Sequence, residues 1–234
     1  MSSKDIKVSE LIVEKLREDN KRFWAGDNIS EYVSDEDRAD LIEEAAQAFE
    51  GVLDALLIDR HNDPNSKDTA RRMAKMYYNE IFAGRYDKPP KVTAFPNDNP
   101  GERFTGLMNV RAELRSLCSH HHQPVKAIAM IGIIPGTRVI GLSKYARIAQ
   151  WCARRGTLQE ELTRDIAEQI MKQTGTEDVG VYVQGTHGCM ENRGVCAHSS
   201  LTQTSVLHGQ FYNPSVKNEW FAQIKLQFDS VGGF

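Results

Sequence analysis

The sequence predicts an α+β fold, with a helical region and connector over residues 1–100 and an antiparallel four-stranded sheet carrying two helices on one face over residues 101–234. Three observations lead there. Apolar residues in the first part recur at helical spacing. A segment with four prolines, PPKVTAFPNDNPGE, then interrupts regular structure. Beyond it the periodicity runs strand, strand, helix, helix, strand, strand. A chain of 234 residues is long enough to bury a large core together with a helical extension.

Taken in order, SELIVEKLREDNKRF sets Leu11, Ile12, Leu16 and Phe23 near one face of a helix expected from Val8 to about Phe23. Ser34, Asp35, Glu36 and Asp37 supply a cap and first-turn acids to a second helix, from Asp35 to about Leu57. A third, TARRMAKMYYNEIFAG, is expected to end at Gly84 as its C-terminal cap. Strands follow from about Gly106 to Leu117 and from Pro124 to Ile134, the second reading VKAIAMIGII before a turn at Pro135 and Gly136. Helices from Lys144 to Arg155 and from Thr157 to about Thr174 are separated at Gly156. VGVYVQGTHGCM and SLTQTSVLHGQF read as the last two strands, and there is no internal repeat or low-complexity segment.

Hydrophobic residues make up 40% and charged residues 26% of the chain, ordinary for a soluble globular protein. No apolar run approaches the ~20 residues that span a bilayer, and the opening MSSKDIKVSE lacks the apolar centre of a secretion signal. The expectation is a cytoplasmic protein without a membrane partner. A net charge of −3 offers nucleic acid no general attraction, so phosphate recognition must come from local clusters of bases. In a reducing compartment Cys118, Cys152, Cys189 and Cys196 favour thiol or metal chemistry over disulfides. Six of the seven histidines lie in the second half, which places the chemistry there.

Cys118 and His121 form a C-x-x-H pair, and His187 and Cys189 an H-x-C pair; on a strand, residues two apart would share a face. Zinc favours sulfur and nitrogen donors in tetrahedral geometry. Two thiolates and one imidazole leave a fourth position for water, which the metal polarises towards hydroxide near neutral pH. The competing reading is buried cysteines and exposed histidines, but the surplus of imidazoles suits proton transfer. A purely structural zinc more often shows paired CxxC knuckles.

The segments LCSHHHQP, VIGLSKYARIAQ, LQEELT and THGCMENRGV resemble the GTP cyclohydrolase I family in order and separation, over roughly residues 106–212, with a weaker match at TARRMAKMYYNEIFAG. The resemblance implies a tunnelling fold in which sheets join into a ring and two rings stack into a homodecamer with active sites between subunits. It also implies zinc held by Cys118, His121 and Cys189, with His120 and His187 moving protons while water adds to C8 of the guanine of GTP and formate is released. Gln159 and Glu160 match the guanine-binding pair. A carboxylate can accept from N1 and N2 of guanine, whereas the reading without the resemblance is a solvated helix face. Ser143, Lys144, Arg147 and Arg193 match the triphosphate positions, and Arg72 matches an arginine of the N-terminal motif. Lys144 and Arg147 are neighbours on a helix. Ordinary surface ion pairing is the bland alternative for these cations.

The chain departs from that family at Ser119, where glutamate is usual, at His122, usually apolar, and at Ala70, commonly proline. The first departure bears on the choice between GTP and dGTP. Cys152 reads as packing inside a helix, and Cys196 and His198 as loop residues. Two other readings compete with the hydrolase. The related 7-cyano-7-deazaguanine reductases use a cysteine adduct and a nicotinamide cofactor but lack this zinc set. A zinc-stabilised oligomer that binds guanine nucleotides without turnover would serve as a regulator.

Overall fold

In the computed structural model, which describes residues 6–99 and 101–230, the chain divides into a helical unit, Met1–Lys88, and a sheet-bearing unit, Pro89–Phe234. In the first, α1 (Val8–Glu18) buries Leu16 against Ile29, Val33 and Leu41. It stops five residues before the expected end, because Asn20 takes a left-handed φ of 50° and Lys21 N–H closes onto the Leu16 carbonyl at 2.8 Å. Helix α2 (Asp35–Ala55) starts as its sequence predicts. The Ser34 hydroxyl accepts from Asp37 N–H at 3.0 Å while the Asp37 carboxylate accepts from Ser34 N–H at 2.8 Å, and a cap of this kind is worth about 1 kcal/mol.

The third helix departs from expectation. Helix α3 (Thr69–Met76) widens into a π turn over Tyr77–Ile81, and Gly84 lies inside a separate one-turn helix, α4 (Ala83–Tyr86), so it does not cap α3. Tyr77 sits in that turn, with its ring 5.4 Å from Phe49 and 5.3 Å from Phe82.

The proline-rich connector contributes a strand of its own. Strand β1 (Ala94–Pro96) pairs with β4 (Arg138–Ile140) in a small antiparallel ribbon. The main sheet consists of β2 (Met108–Leu117), β3 (Pro124–Ile133), β5 (Val179–His187) and β6 (Thr202–Leu207), all antiparallel in the order β2-β3-β5-β6. Alternation along β2 and β5 aims Leu114, Val181 and Val183 at one face. There α5 (Leu142–Ala153) and α6 (Gln159–Thr174) bury Tyr145, Ile148, Leu162, Ile166 and Ile170 against them. Helix α6 ends on Gly175, which takes the left-handed φ of 72°. The α+β class and the helix pair on one face follow the sequence reading.

The opposite face carries a helix that the sequence reading did not anticipate, α8 (Pro214–Ser230). It packs Trp220 and Ile224 on Met130 and Ile128, beside Phe211 from a 3-10 turn, Gly209–Tyr212. Paired glycines make the contact possible: a Cβ on Gly132 would lie 2.5 Å from Trp220 Nε1, and one on Gly180, its neighbour across β3 and β5, 2.6 Å from Phe211 Cδ1. Among the described residues no helix is long and apolar enough to cross a membrane.

Register decides what meets at the sheet's end. Leu117 stands opposite Pro124, and Val125 opposite His187. The β2–β3 turn, with its cysteine and three histidines, therefore lies beside the last residue of β5.

Candidate active site

The β2–β3 turn is closed by two backbone bonds, Cys118 N–H to the Gln123 carbonyl at 3.0 Å and His122 N–H to the Cys118 carbonyl at 2.9 Å, with His122 in the left-handed region at φ 49°. Cys118 is buried, whereas His120 and His121 are exposed, their rings 6.3 Å apart and edge-on.

The second ligand motif is built differently from the expectation. Strand β5 ends at His187, and Cys189 sits in a one-turn helix, α7 (Gly188–Glu191), so His187 and Cys189 do not share a strand face. Gly188 is the reason. A Cβ there would approach the Pro124 carbonyl to 3.1 Å, and its absence lets the chain turn in against β3. The turn carries Cys189 beside Cys118, close enough for one thiol to bear on the other's ionisation. Burial pushes the Cys189 thiol up, the adjoining Cys118 pushes it further, and Arg193 pulls it back.

His121 makes a different contact. Its Nε2 faces Arg193 at 3.0 Å, and since a guanidinium only donates, that nitrogen presents its lone pair. Among the described residues no three His, Cys, Asp or Glu side chains stand together as a metal cage. The structure thus brings Cys118 and Cys189 together and leaves His121 on the same turn, held by Arg193.

His187 is half-buried, and its Nε2 lies 2.8 Å from Gln159 Oε1. Burial lowers its affinity for a proton from the ordinary imidazole value, while the carboxylates of Glu160 and Glu191 raise it. Gln159 is 4% exposed, so the solvated-face reading fails for it, while its neighbour Glu160 is exposed. The Gln159 amide nitrogen donates to the Val183 and Thr202 carbonyls and to Thr204 Oγ1. Thr163 and Thr204, which complete this network, were not singled out from the sequence. A fully buried threonine four residues after a glutamine, on the core face of α6, was the available signal.

The expected triphosphate residues divide by position. Arg193 is at the thiol pair. Ser143, Lys144 and Arg147 are in the first turns of α5, whose last residue, Ala153, accepts a 2.7 Å bond from Ser116 Oγ at the thiol end of β2. Ser143 is therefore about 15 Å further along the helix axis. Lys144 Nζ donates to the Lys91 carbonyl at 2.8 Å, and Arg147 is exposed. Arg72 belongs to the helical unit, exposed and 3.6 Å from Asp68.

An α+β unit that gathers adjoining thiols, imidazoles and a flanking carboxylate at one end of its sheet has the parts of an enzyme that handles protons and a nucleophile. Comparison with known proteins makes the class specific. The family model for GTP cyclohydrolase I matches residues 45–225. GTP cyclohydrolase 1 of Flavobacterium johnsoniae is 37% identical over 196 residues, which is 83% of this chain and 85% of that protein. The Shewanella amazonensis protein of the same name is 34% identical over 193 residues, 82% and 87%, and that of Aeromonas hydrophila is 37% identical over 176 residues, 74% and 79%. The chain belongs to the GTP cyclohydrolase I family and is an enzyme of that type.

Proposed function

We propose that this chain hydrolyses the imidazole ring of GTP with the help of zinc, releasing formate and forming 7,8-dihydroneopterin triphosphate, on a tunnelling fold. The observation that carries the reading is the contact between Cys118 and Cys189 beside His187. Two thiols and the imidazole of His121, three residues from one of them, make a donor set that suits zinc and leaves one position for water. His121 presents a lone pair at Nε2, so exchanging Arg193 for a metal needs no change in its protonation. Zinc bound there would supply a Lewis acid and an activated water.

The chain's own residues then have distinct tasks. His187, half-buried and neutral-leaning, takes or returns protons near the guanine ring, and exposed His120 does so from the solvent side. Glu160 accepts from N1–H and N2–H of the base, a charge-assisted pair that adenine cannot form. Arg193, released from His121, meets a phosphate oxygen.

The site reads as shared between subunits. Ser143, Lys144 and Arg147 are too far along α5 to join Cys118 and His187 around one nucleotide in the same chain. A neighbouring copy supplies that cluster, and Arg72 reaches a site in the same manner. The outer strands β2 and β6 offer the unpaired edges through which sheets join, in keeping with a homodecamer. The product feeds folate, pterin or 7-deazaguanine synthesis.

Incubating zinc-quantified protein with GTP and with dGTP, and identifying products by mass, tests the reading. Formate and dihydroneopterin triphosphate from GTP are expected. Nucleotide binding and full zinc content without turnover would favour the regulator, and turnover of dGTP alone would mark a variant specificity at Ser119.

A further inference from the structure

The amide of Gln159 is bonded on every side, and its bonds decide where a proton sits on His187. Its Nε2 faces the Val183 carbonyl at 3.2 Å, the Thr202 carbonyl at 3.1 Å and the Thr204 hydroxyl at 3.2 Å. Turned over, the amide would press its oxygen against two carbonyls that have only lone pairs to offer, so the oxygen faces His187. The threonines close the circuit. Thr163 donates to the Gln159 backbone carbonyl at 2.7 Å, so across their 2.6 Å contact Thr204 donates to Thr163 and keeps its own lone pair for the amide. Both hydroxyl hydrogens in the loop are then assigned, and the two amide hydrogens are shared among three acceptors.

Because Oε1 can only accept, the His187 Nε2 at 2.8 Å must carry a hydrogen and donate it. We propose that Gln159 is a positioning residue that locks His187 in the Nε2–H tautomer and leaves Nδ1 as the nitrogen that exchanges protons with the substrate. This rests on the reading of His187 as a proton-moving group. A role for Gln159 in reading the base would need amide donors that are already engaged inside the chain. Guanine selection accordingly falls to Glu160, exposed one residue on.

Gly185 is an independent sign that the arrangement is built in. It lies on β5 two residues before His187, and a Cβ there would come 3.2 Å from Gln159 Oε1, 3.0 Å from the Lys126 carbonyl and 2.8 Å from the Ala127 Cβ. The amide, the strand and the imidazole fit together only where that side chain is missing.

The test has two arms, both on zinc-loaded protein. In the first, Gln159→Leu lowers kcat by roughly 10- to 100-fold with KM for GTP little changed, and adding it to His187→Asn lowers kcat no further. A raised KM with kcat intact, or penalties that multiply in the double variant, would overturn the proposal. Leucine leaves two carbonyls without donors and can unfold the chain, so the second arm uses the wild-type protein. Nitrogen-15 spectra of histidine-labelled enzyme, with the His187 signals assigned by their loss in His187→Asn, are expected to show a protonated Nε2 and a bare Nδ1 in the neutral ring. The opposite tautomer would overturn the proposal. Wild-type turnover by His187→Asn would sink the proton-moving reading itself, and that outcome is distinguishable because it appears without any change at Gln159.

Discussion

Cys189→Ala is expected to leave less than one zinc per chain and to lower kcat/KM for ring opening by about a thousandfold or more, on the order of 4 kcal/mol of transition-state stabilisation. The size follows from the architecture. Cys189 comes beside Cys118 only through the turn at Gly188, and neither Cys152, buried in α5, nor exposed Cys196 is in a position to replace it. Removing one of two sulfurs leaves a thiol and an imidazole, too few donors to hold zinc against water. Cys152→Ala is the control. That thiol is buried in α5, where burial pushes it up to about 12 against the pull of the Arg155 guanidinium, which donates to its sulfur at 3.6 Å, and its loss should cost stability while zinc stays bound. Metal analysis and formate release on the two variants separate the cases.

His187→Asn is expected to behave in the opposite sense. Zinc content and nucleotide affinity should persist, while kcat falls by about 10²- to 10⁴-fold, the range for loss of a positioned acid or base. The half-buried imidazole sits one residue before α7 and is not counted among the proposed metal ligands. Its contribution therefore lies in moving protons. Equilibrium binding of GTP set beside single-turnover formate release distinguishes this from a binding defect, which would raise the dissociation constant and leave the chemical step intact.

Much of the sheet unit was legible because its patterns are long and regular. VKAIAMIGII reads as a strand and the stretch from Thr157 to about Thr174 as a helix, and they occur as β3 and α6. Helix α8 went unread although Val216, Trp220, Ile224 and Phe228 recur at a helical interval on the side that meets the sheet. The flat floor of Gly132 and Gly180 that receives the helix is a property of two strands in register, visible only once they pair.

At the site, residue types were legible and their geometry was not. The alternation in VGVYVQGTHGCM continues the strand pattern through Cys189, but Gly188 ends it by allowing a close approach to β3. Gln159 begins a helix rich in charge, and from the sequence its side chain belonged to that helix. In the structure it reaches residues 24 to 45 positions away on β5 and β6, contacts that no local pattern encodes. His121 shows the remaining gap. Spacing places it three residues from Cys118, and only the fold reveals that Arg193 holds its lone pair.

X-ray absorption at the zinc edge of the purified protein tests the central claim most directly. Two sulfurs at about 2.3 Å with two nitrogen or oxygen neighbours at about 2.0–2.1 Å are predicted, changing to one sulfur or to lost metal in Cys189→Ala. A shell of four protein ligands, or full activity in protein free of zinc, would contradict it.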